Sequence, residues 1–292
     1  MISIIITSFN EPRTIGRAIT SFISQNIKQK YELIVSSPDK ETLNEALKYA
    51  YKNRNIKLIK DKGEGKPSAL NLAFKKAKGN ILILTDGDVY AGENSVNLLL
   101  KHLENSKVGA VTARVVSLND RDTKYGYWAY LLTETFHRLR LTESKKGKNV
   151  ICSGYLYALK SNIVHKIPKD TLADDAYISY SLIEKGYQTK YEPRALVHVS
   201  YPSNFIDWIK QKKRTASRIY QKTSFNVSKI RSFHDELIVG LYSIFLIKNL
   251  RHLQWLISLI FMRLYLWVRI FFDIRLWNRP FKKTWLRIES TK

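Results

Sequence analysis

The hydrophobic pattern along the first third of the chain switches repeatedly between short apolar runs and longer polar segments with helical spacing. ISIIITSF at 2–9, YELIVS at 31–36, IKLIKD at 56–61 and ILILTD at 81–86 each predict a strand. Between them, Pro12 to Gln25 carries Ile15, Ala18, Ile19, Phe22 and Ile23 at helical intervals, and Glu41 to Lys52 predicts a second helix. GEGKPSALNLAFKKAKG at 63–79 predicts a loop that leads into a third helix ending at Gly79. Strands that are apolar throughout, alternating with helices, predict an α/β fold with a mostly parallel central sheet covered on both faces.

From about Val108 the pattern changes. VGAVTARVVSL at 108–118 predicts a strand, KYGYWAYLLTETFHRLRL at 124–141 an aromatic-rich helix, and KNVICSGYLYALK at 148–160 a strand pair interrupted at Ser153-Gly154. Asp174-Asp175 then opens a helix that ends at Gly186, the acidic residues suiting the positive end of its dipole. No internal repeat or low-complexity segment is evident.

In open sheets of this kind ligands bind outside the carboxyl ends of the strands. Those ends are Thr7 to Glu11, Ser36 to Asp39, Asp61 to Lys66 and Asp86 to Asp88, so all four sets are expected to border one crevice. Asp86 and Asp88, separated by Gly87, can be read as a solvated turn or as a clamp that holds a divalent cation against a phosphate. Their position at a strand end on the crevice favours the second reading.

Composition adds a partner. A net charge of +24 over 292 residues points to a polyanion or an anionic membrane surface. From Phe205 to Lys292 there are 18 Lys or Arg against 5 Asp or Glu, mixed with Trp, Leu, Ile and Phe, which fits a membrane interface better than a nucleic-acid groove. Leu237 to Ile247 is only 11 residues long, short of the roughly 20 that span a bilayer. Leu253 to Phe272 is long enough, but Arg263 falls at its centre and Arg269 near its end, each costing about 2.5–3.5 kcal/mol at mid-membrane. Since Arg251, Arg263, Arg269 and Arg275 do not share one stripe, the expectation is of short helices lying in the interface. The single cysteine, Cys152, excludes an intrachain disulfide and is expected to be a small buried hydrophobe. The N-terminus shows no secretory signal, so the expected location is the cytoplasmic side of the cell membrane, peripheral or with a short C-terminal membrane segment.

The motifs TSFNE (7–11), GKPSALNLA (65–73), TDGD (85–88), SG (153–154), ADD (173–175), GYQTKYEPRALV (186–197) and QKKRT (211–215), in this order and spacing, resemble the family 2 glycosyltransferases. Within that family they are most similar to the membrane-associated branch of hyaluronan, chitin and cellulose synthases. The resemblance covers residues 1 to 218 and implies a GT-A fold, Rossmann-like and nucleotide-binding, as a catalytic domain over 1–218, with a basic, aromatic-rich helical tail over 219–292. It implies that Asp88 and Asp86 hold Mg²⁺ or Mn²⁺ on the diphosphate of a nucleotide sugar, expected to be a UDP-sugar. Thr7, Phe9, Asn10, Glu11, Asp39, Asp86 and Lys66 would contact the donor, with Gln211 and Arg214 on its diphosphate and Ser153 and Gly154 at the acceptor.

By the same resemblance Asp175 is the general base, supported by Asp174, and a single displacement with one base inverts the anomeric centre. Two departures matter. The family's QxxRW ends here in Thr215, and the missing tryptophan argues for single transfer to a lipid-linked or membrane-bound acceptor over processive polymer synthesis. The aspartate pair that many relatives place after the second strand is replaced by Ser36-Ser37-Pro38-Asp39, which weakens the assignment of uracil. Competing readings are a sugar nucleotidyltransferase, which would carry a glycine-rich loop after the first strand, and a non-catalytic basic module, which leaves the acidic pairs unexplained.

Overall fold

The computed structural model describes residues 1–164, 166–217, 241–272 and 288–291. The described chain divides into two compact units, Met1–Val116 with Arg140–Val199, and Ser117–Leu139 with Ser200–Lys292. Residues 1–218, the expected catalytic domain, take in all of the first unit and part of the second.

The first unit is built on an eight-stranded sheet. Its strands are β1 (Ile2–Thr7), β2 (Tyr31–Ser37), β3 (Ile56–Lys60), β4 (Ile81–Asp86), β5 (Val89–Ala91), β6 (Val108–Ser117), β7 (Leu156–Lys160) and β8 (Gln188–Val199), in the order β3-β2-β1-β4-β7-β6-β8-β5. β3, β2, β1 and β4 run parallel, whereas β7 is antiparallel to both β4 and β6, and β5 is antiparallel to β8. The expected mostly parallel sheet is therefore half of the truth: the sheet is mixed. The difference arises after β4: β5 follows it with no helix between, and β7 enters beside β4 in the opposite direction. Helices α1 (Ile15–Ile23), α2 (Lys40–Ala50), α3 (Lys66–Lys76), α4 (Ser95–Leu103) and α6 (Asp174–Glu184) complete this unit, and α5 (Lys124–Lys145) runs through both units.

The central strands are buried on both faces, which is why they read as unbroken apolar runs. Ile2, Ile4, Ile5 and Ile6 of β1 are fully buried, each worth about 1.5–3 kcal/mol of transfer free energy. On one face, Leu82 and Leu84 of β4, Tyr157 and Leu159 of β7, and Ala110 of β6 pack beneath Leu70 and Ala73 of α3 and Ile178 and Leu182 of α6. Cys152 joins this cluster as expected, and burial pushes its thiol up to about 12. The ends of several elements differ from the sequence reading. β1 stops at Thr7, α1 begins at Ile15, and only Leu156–Lys160 of the expected strand pair at 148–160 is a strand. Residues 148–155 leave the sheet because their backbone groups are used elsewhere: the Gly154 N–H reaches Asp175 and the Ser153 N–H reaches Thr112. α4, β5 and β8 have no counterpart in the pattern reading.

The second unit packs α8 (Leu250–Phe271) and α7 (Phe205–Ser217) with the first part of α5. Tyr127, Trp128, Leu131, Trp208, Leu256, Leu259 and Leu266 form its core. The indole N–H of Trp128 donates to the Trp255 carbonyl (2.7 Å), and Tyr127 stacks on His252 with ring centroids 4.1 Å apart. Among the described residues no helix is long and apolar enough to cross a membrane, so the spanning form of the expected tail is not found there. Residues 237–240 of the short apolar run and Arg275 lie outside the described residues.

Candidate active site

The parallel register fixes the edge at which the candidate residues meet. Thr7 ends β1 opposite Ser36 of β2 and Asp86 of β4, so Ser36, Thr7 and Asp86 form one row at the carboxyl edge. Neighbours in such a row point to the same face. The Thr7 hydroxyl donates to Asp86 Oδ1 (3.2 Å). Gly87 is required by close approach, since a Cβ there would collide with Ser8 Oγ and Glu11 Oε2. The turn that carries Asp86 and Asp88 is thereby pressed against the TSFNE segment. Glu11 is buried, and its carboxylate accepts from the Ser8 hydroxyl (2.7 Å). It lies ahead of α1, whose first turn holds no acidic residue.

Asp39 caps α2 and ties two strand ends together. Its carboxylate accepts from the N–H groups of Thr42 (2.8 Å) and Asn10 (2.6 Å) and from the Ser37 hydroxyl (2.8 Å). Burial opposes its charge, but hydrogen bonds from Thr42, Asn10 and Ser37 outweigh that and hold the carboxyl below its usual range. Asn10, with φ of 53°, takes the left-handed turn that aims its N–H at Asp39. Phe9 beside it is largely exposed. Asp61, named by the strand-end reading without a role, accepts from the Ser36 hydroxyl (3.0 Å) and the Gly63 N–H (2.8 Å), tying the ends of β2 and β3 together.

Lys66 opens α3, where a cation is disfavoured by the helix dipole. Gly65 before it adopts φ of 97°, a conformation open to glycine, and Pro67 suits the first turn. Two carboxylates compensate the ammonium: Asp86 Oδ1 lies 2.6 Å from Nζ and Asp174 Oδ2 3.7 Å from it. Burial disfavours the charged form, but Asp174 and Asp86 outweigh it and raise the lysine above its usual range. The nearest strand end and the start of α6 are thus bridged by one side chain.

Asp174 and Asp175 occupy the first turn of α6, both buried. Asp175 Oδ2 accepts from the Gly154 N–H (2.8 Å), and a Cβ on Gly154 would stand 3.1 Å from that oxygen. The Ser179 hydroxyl, which donates to the Asp175 carbonyl (2.7 Å), accepts the Cys152 N–H (3.0 Å), so the Ser153-Gly154 turn is fixed to α6 from both ends. Ser153 and Gly154, expected at the acceptor, spend their N–H groups on Thr112 and Asp175.

The structure therefore brings Thr7, Glu11, Asp39, Lys66, Asp86, Asp88, Gly154, Asp174 and Asp175 to one edge of the first unit. Gln211 and Arg214 are on α7 in the second unit. Gln211 is buried there, and the Thr215 hydroxyl folds back onto its carbonyl (3.0 Å). Among the described residues no three His, Cys, Asp or Glu side chains gather closely enough to enclose a metal. A Mg²⁺ that takes most of its shell from phosphate and water needs one or two carboxylates, and the Asp86-Gly87-Asp88 turn offers two.

Comparison with known proteins bears on this arrangement. Residues 3–167 match the family model described as glycosyl transferase family 2. The poly-beta-1,6-N-acetyl-D-glucosamine synthase of Staphylococcus epidermidis is 23% identical over 220 residues, 74% of this chain and 53% of that protein. The chain thus spans about half the length of that relative. The mannosyltransferase PcManGT of Pyrobaculum calidifontis, solved with GDP-Man and Mn²⁺, superposes with a TM-score of 0.61 at 20% identity, covering 88% of this chain and 73% of that one. TarS of S. aureus, residues 1–349 with UDP-GlcNAc, superposes with a TM-score of 0.51 at 14% identity, covering 82% and 71%. The mixed sheet with its helices has the GT-A fold of these neighbours. The match over more than half of its length, on the segment that carries the crevice motifs, makes the chain a member of glycosyl transferase family 2.

Proposed function

We propose that the chain is an inverting glycosyltransferase that moves one sugar from a nucleotide-sugar donor, UDP-linked in the first instance, to a hydroxyl of a membrane-bound or lipid-linked acceptor in glycan assembly. The observation that carries this reading is Lys66 held between Asp86 and Asp174 at the carboxyl edge, with Asp175 aligned beside them by Gly154. A cation set between carboxylates can turn to an incoming diphosphate, and the chemistry needs positive charge where the leaving group grows negative. Asp88 with Asp86 would hold Mg²⁺ or Mn²⁺, which when bound supplies a Lewis acid to that leaving group. Asp175 accepts the acceptor's hydroxyl proton as the oxygen attacks the anomeric carbon. The new C–O bond forms on the face opposite the breaking bond, and the nucleoside diphosphate departs with the electron pair. One displacement inverts the centre. Gln211 and Arg214, which the resemblance assigns to the diphosphate, belong to α7 of the second unit, and the proposed chemistry does not draw on them.

Thr215 favours single transfer over processive synthesis, because its hydroxyl is used on the helix's own backbone and offers no ring for a sugar to stack on. The membrane side of the proposal draws on α8. Leu250, Leu253, Ile257, Ile260, Phe261, Leu264, Tyr265 and Val268 are exposed and form one continuous stripe, opposite the side that packs on Trp208 and Leu131. At about 100° per residue Arg251 and Arg269 fall on one bearing beside that stripe, and Arg263 lies about 120° away on its other side. Apolar side chains flanked by arginines fit the plane of an anionic headgroup layer.

One incubation tests both halves: full-length chain, Mn²⁺, liposomes of a total polar-lipid extract and each common nucleotide sugar in turn. Sedimentation with the liposomes and sugar transfer to lipid are expected, the transfer lost in Asp175→Asn and Asp88→Ala and the new linkage inverted by NMR. A retained linkage would sink the mechanism. No transfer from any donor, with both variants indistinguishable from wild type, would leave a non-catalytic basic protein as the better reading.

A further inference from the structure

The side of the sheet that carries Asp86 hides a hydroxyl that neither the fold nor the proposed chemistry has used. Tyr157 lies on β7, its Cα opposite Leu84 of β4 and Thr112 of β6. Directly opposed residues of antiparallel strands share a face, and so do residues two apart on one strand. Tyr157 therefore stands on the face of Leu84 and Asp86, one row in from the carboxyl edge. α3 and α6 cover that face through Leu70, Ala73, Ile178 and Leu182. Their first turns carry Lys66 and the Asp174-Asp175 pair. The ring is fully buried, and its hydroxyl has no hydrogen-bond partner.

An unpartnered buried hydroxyl costs about 1–3 kcal/mol, and a core phenylalanine would fill the same space without that cost. Something other than packing retains the oxygen. Its surroundings are acidic: burial first, then the charges of Asp174, Asp175 and Asp86, keep the phenol well above its usual range, so it can give a hydrogen bond but not take the proton of an acceptor. Lys66 pairs with Asp174 and is shared with Asp86. When a diphosphate draws that ammonium away, Asp174 loses an electrostatic partner at the moment its neighbour must act.

We propose that Tyr157 is a positioning residue for the acidic pair of α6, its hydroxyl donating to the Asp174 carboxylate when Lys66 turns to the donor diphosphate. This rests on the reading of Asp175 as the base. The phenol thereby holds the first turn of α6 in place during transfer while touching neither sugar nor nucleotide. The idle state bears the cost of the unsatisfied oxygen, and the loaded state uses it.

Tyr157→Phe keeps the ring and removes the oxygen. With full-length chain, Mn²⁺, polar-lipid liposomes and whichever donor supports transfer, kcat is expected to fall about tenfold, with donor KM within about twofold of wild type. The melting temperature without donor is expected to hold or rise, because a desolvated hydroxyl has gone. A purely structural hydroxyl would give the opposite split, a lower melting temperature with kcat intact, and that result overturns the proposal. So does kcat within about twofold of wild type. Asp175→Asn, run in parallel, separates the two readings: if it is inactive while Tyr157→Phe is normal, only the role of Tyr157 falls; if it is active, the base assignment falls and this proposal with it.

Discussion

Each end of the sheet holds a buried acidic side chain paired with a lysine, and the two ends are built to opposite ends of purpose. At the amino edge Glu32 accepts from the Ser3 hydroxyl (2.7 Å), the Lys78 N–H (2.6 Å) and Lys57 Nζ (2.5 Å), while Ser3 Oγ in turn accepts the Gly79 N–H (2.8 Å). One carboxylate has three donors. At the carboxyl edge two carboxylates, Asp86 and Asp174, share Lys66, and the Tyr157 hydroxyl beneath them has no hydrogen-bond partner. A carboxylate with three donors of its own gives stability; carboxylates that share one cation leave that cation able to change partners. The sheet thus separates the polar groups that hold it together from those that can change partners.

The largest effect that tests this contrast is expected from Lys66→Met. Removing the shared cation should lower kcat/KM for sugar transfer by about a hundredfold or more, because Asp86 and Asp174 are left facing each other where a diphosphate must enter. If the variant melts earlier but transfers sugar at the wild-type rate, Lys66 is a structural ion pair and the two edges do not differ in kind.

Glu32→Gln should do the reverse. It is expected to cost about 2–3 kcal/mol in urea unfolding and to leave kcat unchanged. Burial disfavours the Glu32 charge, but Lys57, Ser3 and Lys78 outweigh it and lower its pKa from 4.5. A carboxyl that is more acidic in the folded protein contributes stability above its unfolded pKa and loses it as the pH falls through the folded value. The gap between wild type and variant should therefore be level near neutrality and close as the pH drops below about 4.5. A gap that stays constant into acid would mean that shape, not charge, is what Gln fails to reproduce.

The same contrast explains what was legible in the sequence. β1 to β4 are apolar on both faces, so their runs declare themselves, and the residues just past them had to border the crevice. Asp86, Asp88, Asp174, Asp175 and Lys66 were all named this way or through their motifs, and Lys66 joins Asp86 to Asp174 in the structure. The bridge that Lys66 makes to Asp174 was not legible, because it joins the starts of two helices far apart in the chain. β5, with three residues, is too short for any period to show, and β8 is broken up by Glu192, Pro193 and Arg194. Tyr157 in GYLYALK reads as core, and its ring is core; only the unsatisfied oxygen, a property of three-dimensional surroundings, marks it out.

The smallest effects come from one strand. Ser3, Ile5 and Thr7 alternate along β1 onto the same face, with Ser3 at the saturated edge and Thr7 at the working one. Each places a hydroxyl on an acid: Ser3 on Glu32 at 2.7 Å, Thr7 on Asp86 at 3.2 Å. Ser3→Ala leaves the buried Gly79 N–H without its acceptor and Glu32 with two donors in place of three, so it should cost about 1–3 kcal/mol of stability without altering transfer. Thr7→Val keeps the branched shape and removes a long, weak hydrogen bond. Its stability should stay within about 1 kcal/mol of wild type, while the Mn²⁺ or donor concentration needed for half-maximal rate rises a few-fold as Asp86 loses its rein. Two hydroxyls on one strand would then divide cleanly, one measured by unfolding and the other by kinetics. If both variants moved only the unfolding curve, the carboxyl edge would be held as firmly as the amino edge, and the sharing of Lys66 would carry no function.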